Sequence, residues 1–206
     1  MRREIILVDA HLGNLDSVER ALVQVGGAVA VTGDPDRIAA ARIVVFPGQG
    51  SFGPVTDAIV TGPLGAALRM VIDRGDPFLG ICLGMQILFE RSEEAGGHPG
   101  LRVLAGDVCR IPDDMTVDGK PGGRPLKVPH IGWNDVQPTG DHFYFAHSYY
   151  ARPQNPDEVM WTARYGRVDI PAAIRRGNVY GCQFHPEKSQ FAGLRFLRSF
   201  ILGGRG

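Results

Sequence analysis

Cys82 lies in a pattern that is typical of a catalytic nucleophile. The segment GICLGMQ at 80–86 places a glycine two positions on either side of it, after a short apolar run. This is the thiol counterpart of the G-x-S-x-G elbow, in which a tight strand-to-helix turn presents the nucleophile. The start of the helix favours the reactive thiolate, and the amide of Leu83 would face a developing oxyanion. The alternative is a buried structural cysteine, which is the commoner fate of a lone cysteine.

A second chemical pattern is the pair His185 and Glu187, which follows another apolar run. In an extended segment, positions i and i+2 face the same way, so we expect both side chains to converge on one site. A histidine that acts as base and then as acid needs a partner that fixes its tautomer, and Glu187 is that candidate. The alternative is an ordinary surface pair, because the motif alone is weak. With Cys82, the two residues form a candidate triad.

A third pattern is the segment PGQG at 47–50, which follows a further apolar run. Closely spaced glycines let a backbone turn and bring its amides to a ligand. We interpret the segment as a second oxyanion-hole loop, with a tight turn or a phosphate loop as alternatives. A P-loop is a poor match, because no G-K-[ST] follows.

The elements that position these residues alternate between strand and helix in the first half of the chain. Strands are predicted at 5–8, 29–32, 43–46 and 78–81, and helices after Asn14, at 63–75 and at 83–90. The second half predicts an antiparallel strand at 101–111, a loop at 112–125, strands at 126–129, 142–146, 159–163 and 179–184, and a final helix at 190–202 that Ser189 caps. This order predicts an α/β fold: one domain over 1–206, with a central, mostly parallel sheet flanked by helices and antiparallel strands in the C-terminal half. The three motifs then share one sheet edge.

Composition limits the function classes. Lys plus Arg and Asp plus Glu both number 22, so the net charge is zero and gives no argument for nucleic acid as a partner. The cysteines Cys82, Cys109 and Cys182 are widely spaced and form no CxxC pair, so we expect neither a disulfide framework nor a zinc site. Reduced thiols and the lack of a long apolar stretch predict a cytoplasmic protein that does not enter a membrane.

Several segments carry a family resemblance over about residues 4–202. GICLGMQ, PGQG and FHPE resemble the class I (triad) glutamine amidotransferases, whose fold is flavodoxin-like. Within that superfamily, GNLDSV, PHIGWN, YFAHSYY and QFHPEKS are similar to the glutaminase subunit of imidazole glycerol phosphate synthase. The resemblance implies glutamine as substrate, no cofactor or metal, and a heterodimer with a (β/α)8-barrel cyclase that receives the ammonia for histidine biosynthesis.

The resemblance also implies residue roles. Cys82 would form a γ-glutamyl thioester, His185 would transfer protons and Glu187 would orient it. Amides at Leu83, Gly48 and Gln49 would bind the oxyanion, if necessary after a peptide flip. The positions that would hold the glutamine are Gly50, Gln86, Glu94, Ser148 and Tyr149. The positions that would contact the cyclase are Asn14, Trp133, Tyr144 and Lys188, for which a helix cap, core or rim aromatics and a solvated charge are the plainer interpretations.

Two departures from the family pattern stand near the site. His11 replaces a glycine of D-Y-G-x-G-N, and Gln49 replaces a valine of the glycine loop. Because the oxyanion contact comes from a backbone amide, we expect the mechanism to survive the change at position 49. The alternatives to this function are a glutaminase subunit of an anthranilate- or aminodeoxychorismate-type synthase, a non-catalytic regulatory subunit and, more remotely, a cysteine peptidase.

Overall fold

A computed structural model describes residues 4–13, 15–117 and 122–203. The strands are β1 Glu4–Val8, β2 Ala28–Thr32, β3 Val44–Gly48, β4 Phe78–Cys82, β5 Arg91–Ser92, β6 His98–Pro99, β7 Gly106–Arg110, β8 His130–Val136, β9 Asp141–His147, β10 Tyr149–Pro153, β11 Val159–Tyr165, β12 Val168–Arg176 and β13 Val179–Cys182. The α-helices are α1 Leu15–Gln24, α2 Pro35–Ala40, α3 Pro54–Thr61, α4 Pro63–Asp73, α5 Leu83–Gln86 and α6 Gln190–Ile201.

The central sheet has seven strands in the order β11-β12-β13-β4-β3-β1-β2. The five strands from β13 to β2 run parallel, whereas β12 is antiparallel to both of its neighbours. A smaller sheet joins β10, β7, β5 and β6, and β8 pairs with β9 as a hairpin. The predicted fold class, a mostly parallel sheet with antiparallel strands in the C-terminal half, is therefore confirmed.

Both faces of the sheet are buried, because successive side chains of a strand point to opposite sides. In β1, Ile6 and Val8 pack into the cluster that includes α4, whereas Ile5 and Leu7 pack into the cluster that includes α1 and α6. Such strands read as continuous apolar runs, which is why the central strands could be found from the sequence.

One predicted helix and two predicted strands were wrong over much of their length, and the strand predicted at 179–184 ends at Cys182. The helix predicted at 83–90 ends at Gln86, because the carbonyls of Ile87, Leu88 and Phe89 instead accept backbone hydrogen bonds from the 101–104 segment. That segment is therefore not free to pair as a strand, and the predicted strand 101–111 is reduced to β7. Residues 126–129 form no strand, and the next strand begins at His130.

Ser189 does not cap α6 with its side chain. Its hydroxyl donates to the carbonyl oxygen of His185 at 2.6 Å and accepts from the amide of Tyr144 at 2.9 Å. Ser189 therefore links the backbone of His185 to that of Tyr144 in β9 and does not serve as the predicted cap. Within the described parts of the chain, no helix is long and apolar enough to cross a membrane.

Candidate active site

Cys82 occupies a strained turn between β4 and α5. Its backbone angles are φ 54° and ψ −111°, a region that residues with a side chain rarely adopt. The residue is 6% exposed, so Cys82 is almost completely buried at this edge of the sheet. Strain of this kind persists only where the surroundings enforce it, and it is concentrated at functional sites.

The glycines of the elbow allow the strand and the helix to approach. A Cβ atom on Gly84 would lie 2.0 Å from the carbonyl oxygen of Phe46, and one on Gly80 would lie 2.4 Å from the carbonyl oxygen of Gly84. Both separations are far below van der Waals contact. The spacing of these glycines in the sequence therefore reflects a steric requirement of the turn that holds Cys82.

His185 and Glu187 meet at the same edge of the sheet. The Nδ1 atom of His185 lies 2.8 Å from Oε1 of Glu187, and the two side chains are 3% and 1% exposed. The segment is not the extended run that we predicted: residues 186–188 form a 3-10 turn that brings Glu187 back to the ring. Because a carboxylate only accepts, Nδ1 carries the proton and Nε2 remains for Cys82.

The protonation of His185 is set by opposing effects. Burial lowers its pKa, but hydrogen bonds and charge from Cys82 and Glu187 outweigh burial and raise the pKa to about 10. The imidazolium form is thus favoured at neutral pH. The backbone of His185 is held as well, since its amide donates to the carbonyl oxygen of Tyr144 at 2.8 Å.

The 47–50 segment lies directly beside the elbow, where Gly48 pairs with Cys82 across β3 and β4. A Cβ atom on Gly48 would lie 2.9 Å from that of Leu83. The amide of Gln49 donates to the carbonyl oxygen of Leu12 at 2.7 Å, so its hydrogen is already bonded in this conformation. The departures at His11 and Gln49 thus lie on adjoining segments, and His11 has a positive φ of 57°.

The predicted glutamine-binding residues fall into two groups. Glu94 accepts a hydrogen bond from the amide of Phe52 at 2.8 Å, and burial, only partly offset by this bond, raises the pKa of its carboxyl group. It therefore ties the 94–96 turn to the chain that follows Gly50. Gln86 and Tyr149 form the other group: Nε2 of Gln86 donates to the carbonyl oxygen of Tyr149 at 2.8 Å. The carbonyl oxygen of the adjacent Ser148 accepts from the amide of Ile111.

Three buried polar residues near the site were missed from the sequence. Nε2 of Gln183 lies 3.6 Å from Sγ of Cys82, and the rings of His130 and His147 are joined by a hydrogen bond of 3.1 Å. Gln183 precedes the FHPE motif and His147 precedes Ser148, so both lay inside segments that we had singled out. Their burial was the missing signal, because a buried polar side chain requires a partner.

Three of the predicted cyclase-contacting residues, Trp133, Tyr144 and Lys188, lie together on the surface, and the exposed Ile131 of the same strand as Trp133 extends them into a patch that the sequence did not predict. Trp133 pairs with Tyr144 across the β8–β9 hairpin, with ring centroids 6.1 Å apart, and Nζ of Lys188 lies 5.8 Å from the centre of the Tyr144 ring. Trp133 is 48% exposed and Ile131 is 63% exposed. Asn14, the fourth predicted contact, lies outside the described residues.

Comparisons with known proteins agree with this geometry. The family model for glutamine amidotransferase class-I matches residues 6–202. The chain belongs to the class I glutamine amidotransferase family. Two solved structures share this fold. A crystal structure of a glutamine amidotransferase superposes with a TM-score of 0.72 at 21% sequence identity, and the match covers 96% of this chain and 98% of that one. The structure of PurLQS from Thermotoga maritima superposes with a TM-score of 0.71 at 16% identity, and the match covers 98% of this chain and 99% of that one.

Relatives of this amidotransferase carry a more specific description. The chain is 44% identical to the imidazole glycerol phosphate synthase subunit HisH of Syntrophotalea carbinolica, covering 95% of this chain and 98% of that protein. It is 43% identical to the protein of the same description from Moorella thermoacetica, covering 96% and 94%. These relatives confirm the resemblance that the sequence motifs indicated.

Proposed function

We propose that this chain hydrolyses glutamine to glutamate and ammonia and passes the ammonia to a cyclase partner that makes imidazole glycerol phosphate. The observation that carries the proposal is the constellation at one sheet edge: Cys82 on a strained elbow, with His185 beside it and Glu187 2.8 Å from the ring. A carboxamide is a poor electrophile with a poor leaving group. It therefore needs a thiolate, a proton donor and an oxyanion site.

In the proposed first step, the thiolate of Cys82 attacks the side-chain carbonyl carbon of glutamine. The imidazolium of His185 protonates the nitrogen, the C–N bond breaks and ammonia leaves a γ-glutamyl thioester. The neutral imidazole then takes a proton from water, which attacks the thioester and releases glutamate and the thiolate. The raised pKa of His185 supports this sequence, because the acid is present before the substrate arrives. Glu187 stabilises that acid and fixes its orientation.

We further propose that the partner controls the oxyanion hole. The amide of Leu83 supplies one donor, and a flip of the Gly48–Gln49 peptide would free a second one from the carbonyl of Leu12, 2.7 Å away. The patch of Ile131, Trp133, Tyr144 and Lys188 supports a nearby docking site for the cyclase, since the carbonyl of Tyr144 binds the amide of His185. A sealed interface would keep ammonia unprotonated during transfer.

Glutamine turnover, measured with and without a barrel cyclase and its ribonucleotide ligand, tests this proposal. We expect little turnover by the subunit alone and a large increase in the ligand-bound complex. Turnover that the cyclase does not raise would contradict the assigned partner and favour another synthase. The absence of turnover under every condition would favour a non-catalytic subunit.

A further inference from the structure

A chain of buried side-chain hydrogen bonds ends on the sulfur of Cys82. Nε2 of Gln183 lies 3.6 Å from Sγ of Cys82, and Oε1 of Gln183 accepts from Nε2 of Gln86 at 2.9 Å. The same nitrogen of Gln86 donates to the carbonyl oxygen of Tyr149 at 2.8 Å. Gln183 is fully buried and Gln86 is 5% exposed. The proposed mechanism gives Gln183 no role.

The carbonyl of Tyr149 fixes the direction of every bond in this chain. A carbonyl only accepts, so the atom of Gln86 that faces it must be the amide nitrogen. That nitrogen also faces Gln183, which must present its oxygen in return. The nitrogen of Gln183 is then directed at the sulfur of Cys82. A flipped Gln183 amide would set its nitrogen against that of Gln86 and leave both groups unsatisfied.

His147 donates a second hydrogen bond to the carbonyl of Tyr149, and His130 in turn bonds His147. Nδ1 of His147 lies 2.8 Å from that oxygen and must donate, which leaves Nε2 to accept from Nδ1 of His130 at 3.1 Å. The remaining ring nitrogen of His130 accepts from the side-chain amide of Asn134 at 3.4 Å. Both lone pairs of the Tyr149 carbonyl therefore accept hydrogen bonds within the protein. His130 of β8 and His147 of β9 thus help to fix the orientation of the Gln86 and Gln183 amides.

We propose that Gln183 is a further catalytic residue, whose side-chain amide donates a hydrogen bond to the thiolate of Cys82. This role rests on the proposed function. A donor aimed at the sulfur stabilises the anion before attack, and its bond weakens as the sulfur loses charge in the thioester. Gln86 is the positioning residue for this donor, because it holds the amide in the one orientation that presents nitrogen to the sulfur.

The test is the pH profile of alkylation of Cys82 by iodoacetamide, which reports on the thiol without glutamine or a cyclase. It is performed on the full chain carrying Cys109→Ser, because Cys109 is partly exposed, whereas Cys182 is 0% exposed and Cys82 retains 6%. The variants are Gln183→Met, Gln86→Met and the double variant. Gln24→Met, a substitution of the same type at an exposed position, is the matched control.

We expect Gln183→Met to move the midpoint of the profile upward by about one pH unit, the order of one hydrogen bond to a charged group. Gln86→Met should shift it in the same direction by less, and the double variant should equal Gln183→Met, because Gln86 acts through Gln183. Gln24→Met should match the parent protein.

A midpoint that Gln183→Met leaves unchanged in a folded protein would overturn the inference. Additive shifts in the double variant would overturn it as well. If Gln183→Met does not fold, the result for Gln86→Met tests the proposal alone. An unshifted profile in that variant would refute the claim that Gln86 orients the Gln183 amide toward the sulfur. Failure of the proposed function gives a different result: Cys82 of the parent protein would then react no faster near neutral pH than an ordinary free thiol.

Discussion

Lowering the pH from about 8 to about 5 is expected to destabilise the folded chain through two buried histidines. Burial lowers the pKa of His130 to about 4. Burial and, to a smaller extent, the charge of His130 lower the pKa of His147 to about 3. A histidine in an unfolded chain has a pKa near 6.5. Below about pH 6.5, His130 and His147 therefore bind protons in the unfolded chain but not in the folded chain. The contribution of these two histidines to the free energy of unfolding therefore falls as the pH falls. His185, whose pKa is raised to about 10, contributes in the opposite direction between pH 8 and about 6.5.

The size of this effect follows from the shifts. A pH of 5 is about 1.5 units below the unfolded pKa and still above both folded pKa values. Each histidine therefore lowers the free energy of unfolding by about 2 kcal/mol at that pH. Together, His130 and His147 remove about 4 kcal/mol on going from pH 8 to pH 5. This is a large part of the stability of an ordinary domain, which is about 5–15 kcal/mol.

Urea unfolding, followed by tryptophan fluorescence at several pH values, measures the effect. His147→Asn retains a donor for the carbonyl of Tyr149 but does not titrate, so the loss of stability between pH 8 and pH 5 should shrink by about 2 kcal/mol. His142→Asn, at an exposed position of the same hairpin, is the control and should change nothing. If His147→Asn has the same pH dependence as the parent protein, the assignment of a neutral buried pair is refuted.

Three other perturbations have defined outcomes. Gly84→Ala, which places a Cβ atom 2.0 Å from the carbonyl oxygen of Phe46, should destabilise the fold by about 2 kcal/mol or more in urea unfolding and should abolish glutamine turnover. Cys82→Ala should lower the pKa of His185 measured by NMR, because Cys82 is one of the two groups that raise it. Trp133→Ala should weaken binding of the cyclase about tenfold or more in titration calorimetry, without altering the unfolding of the free subunit.

Each of these expectations has a contrary result. Gly53→Ala, at an extended position with open space, is the control for the elbow, and equal stability losses at both glycines would contradict the steric argument. An unchanged pKa of His185 in Cys82→Ala would exclude its coupling to the thiol. Met70→Ala removes a similarly exposed apolar side chain from α4, on the opposite face of the sheet from the hairpin, and equal losses of affinity would show that Trp133 is not a specific contact.

The sequence predicted the parts of the fold in which one local rule decides the structure. The buried central strands are apolar runs, and the elbow of Cys82 is a glycine pattern imposed by close packing. Proline also marked the start of α4 correctly. Where two segments compete for the same backbone groups, local rules failed: the carbonyls of 87–89 bond to 101–104, which shortened both a predicted helix and a predicted strand.

The site was predictable to a similar extent. His185 and Glu187 were found by spacing, although a 3-10 turn rather than an extended strand brings them together. Gln183 and His147 could not be assigned a role from spacing, because their contacts join residues distant in the chain: Gln183 is 101 positions from Cys82. The backbone hydrogen bond from Gln49 to Leu12 could not be predicted either, because it depends on how two loops pack against each other.

The most direct test of the central claim is the synthesis of imidazole glycerol phosphate by the complex with Cys82→Ser, using glutamine and then ammonium salts as the nitrogen source. The account predicts that synthesis from glutamine is lost, while synthesis from ammonium continues at the rate of the parent complex. Retention of glutamine-dependent synthesis by Cys82→Ser would contradict the assignment of Cys82 as the nucleophile.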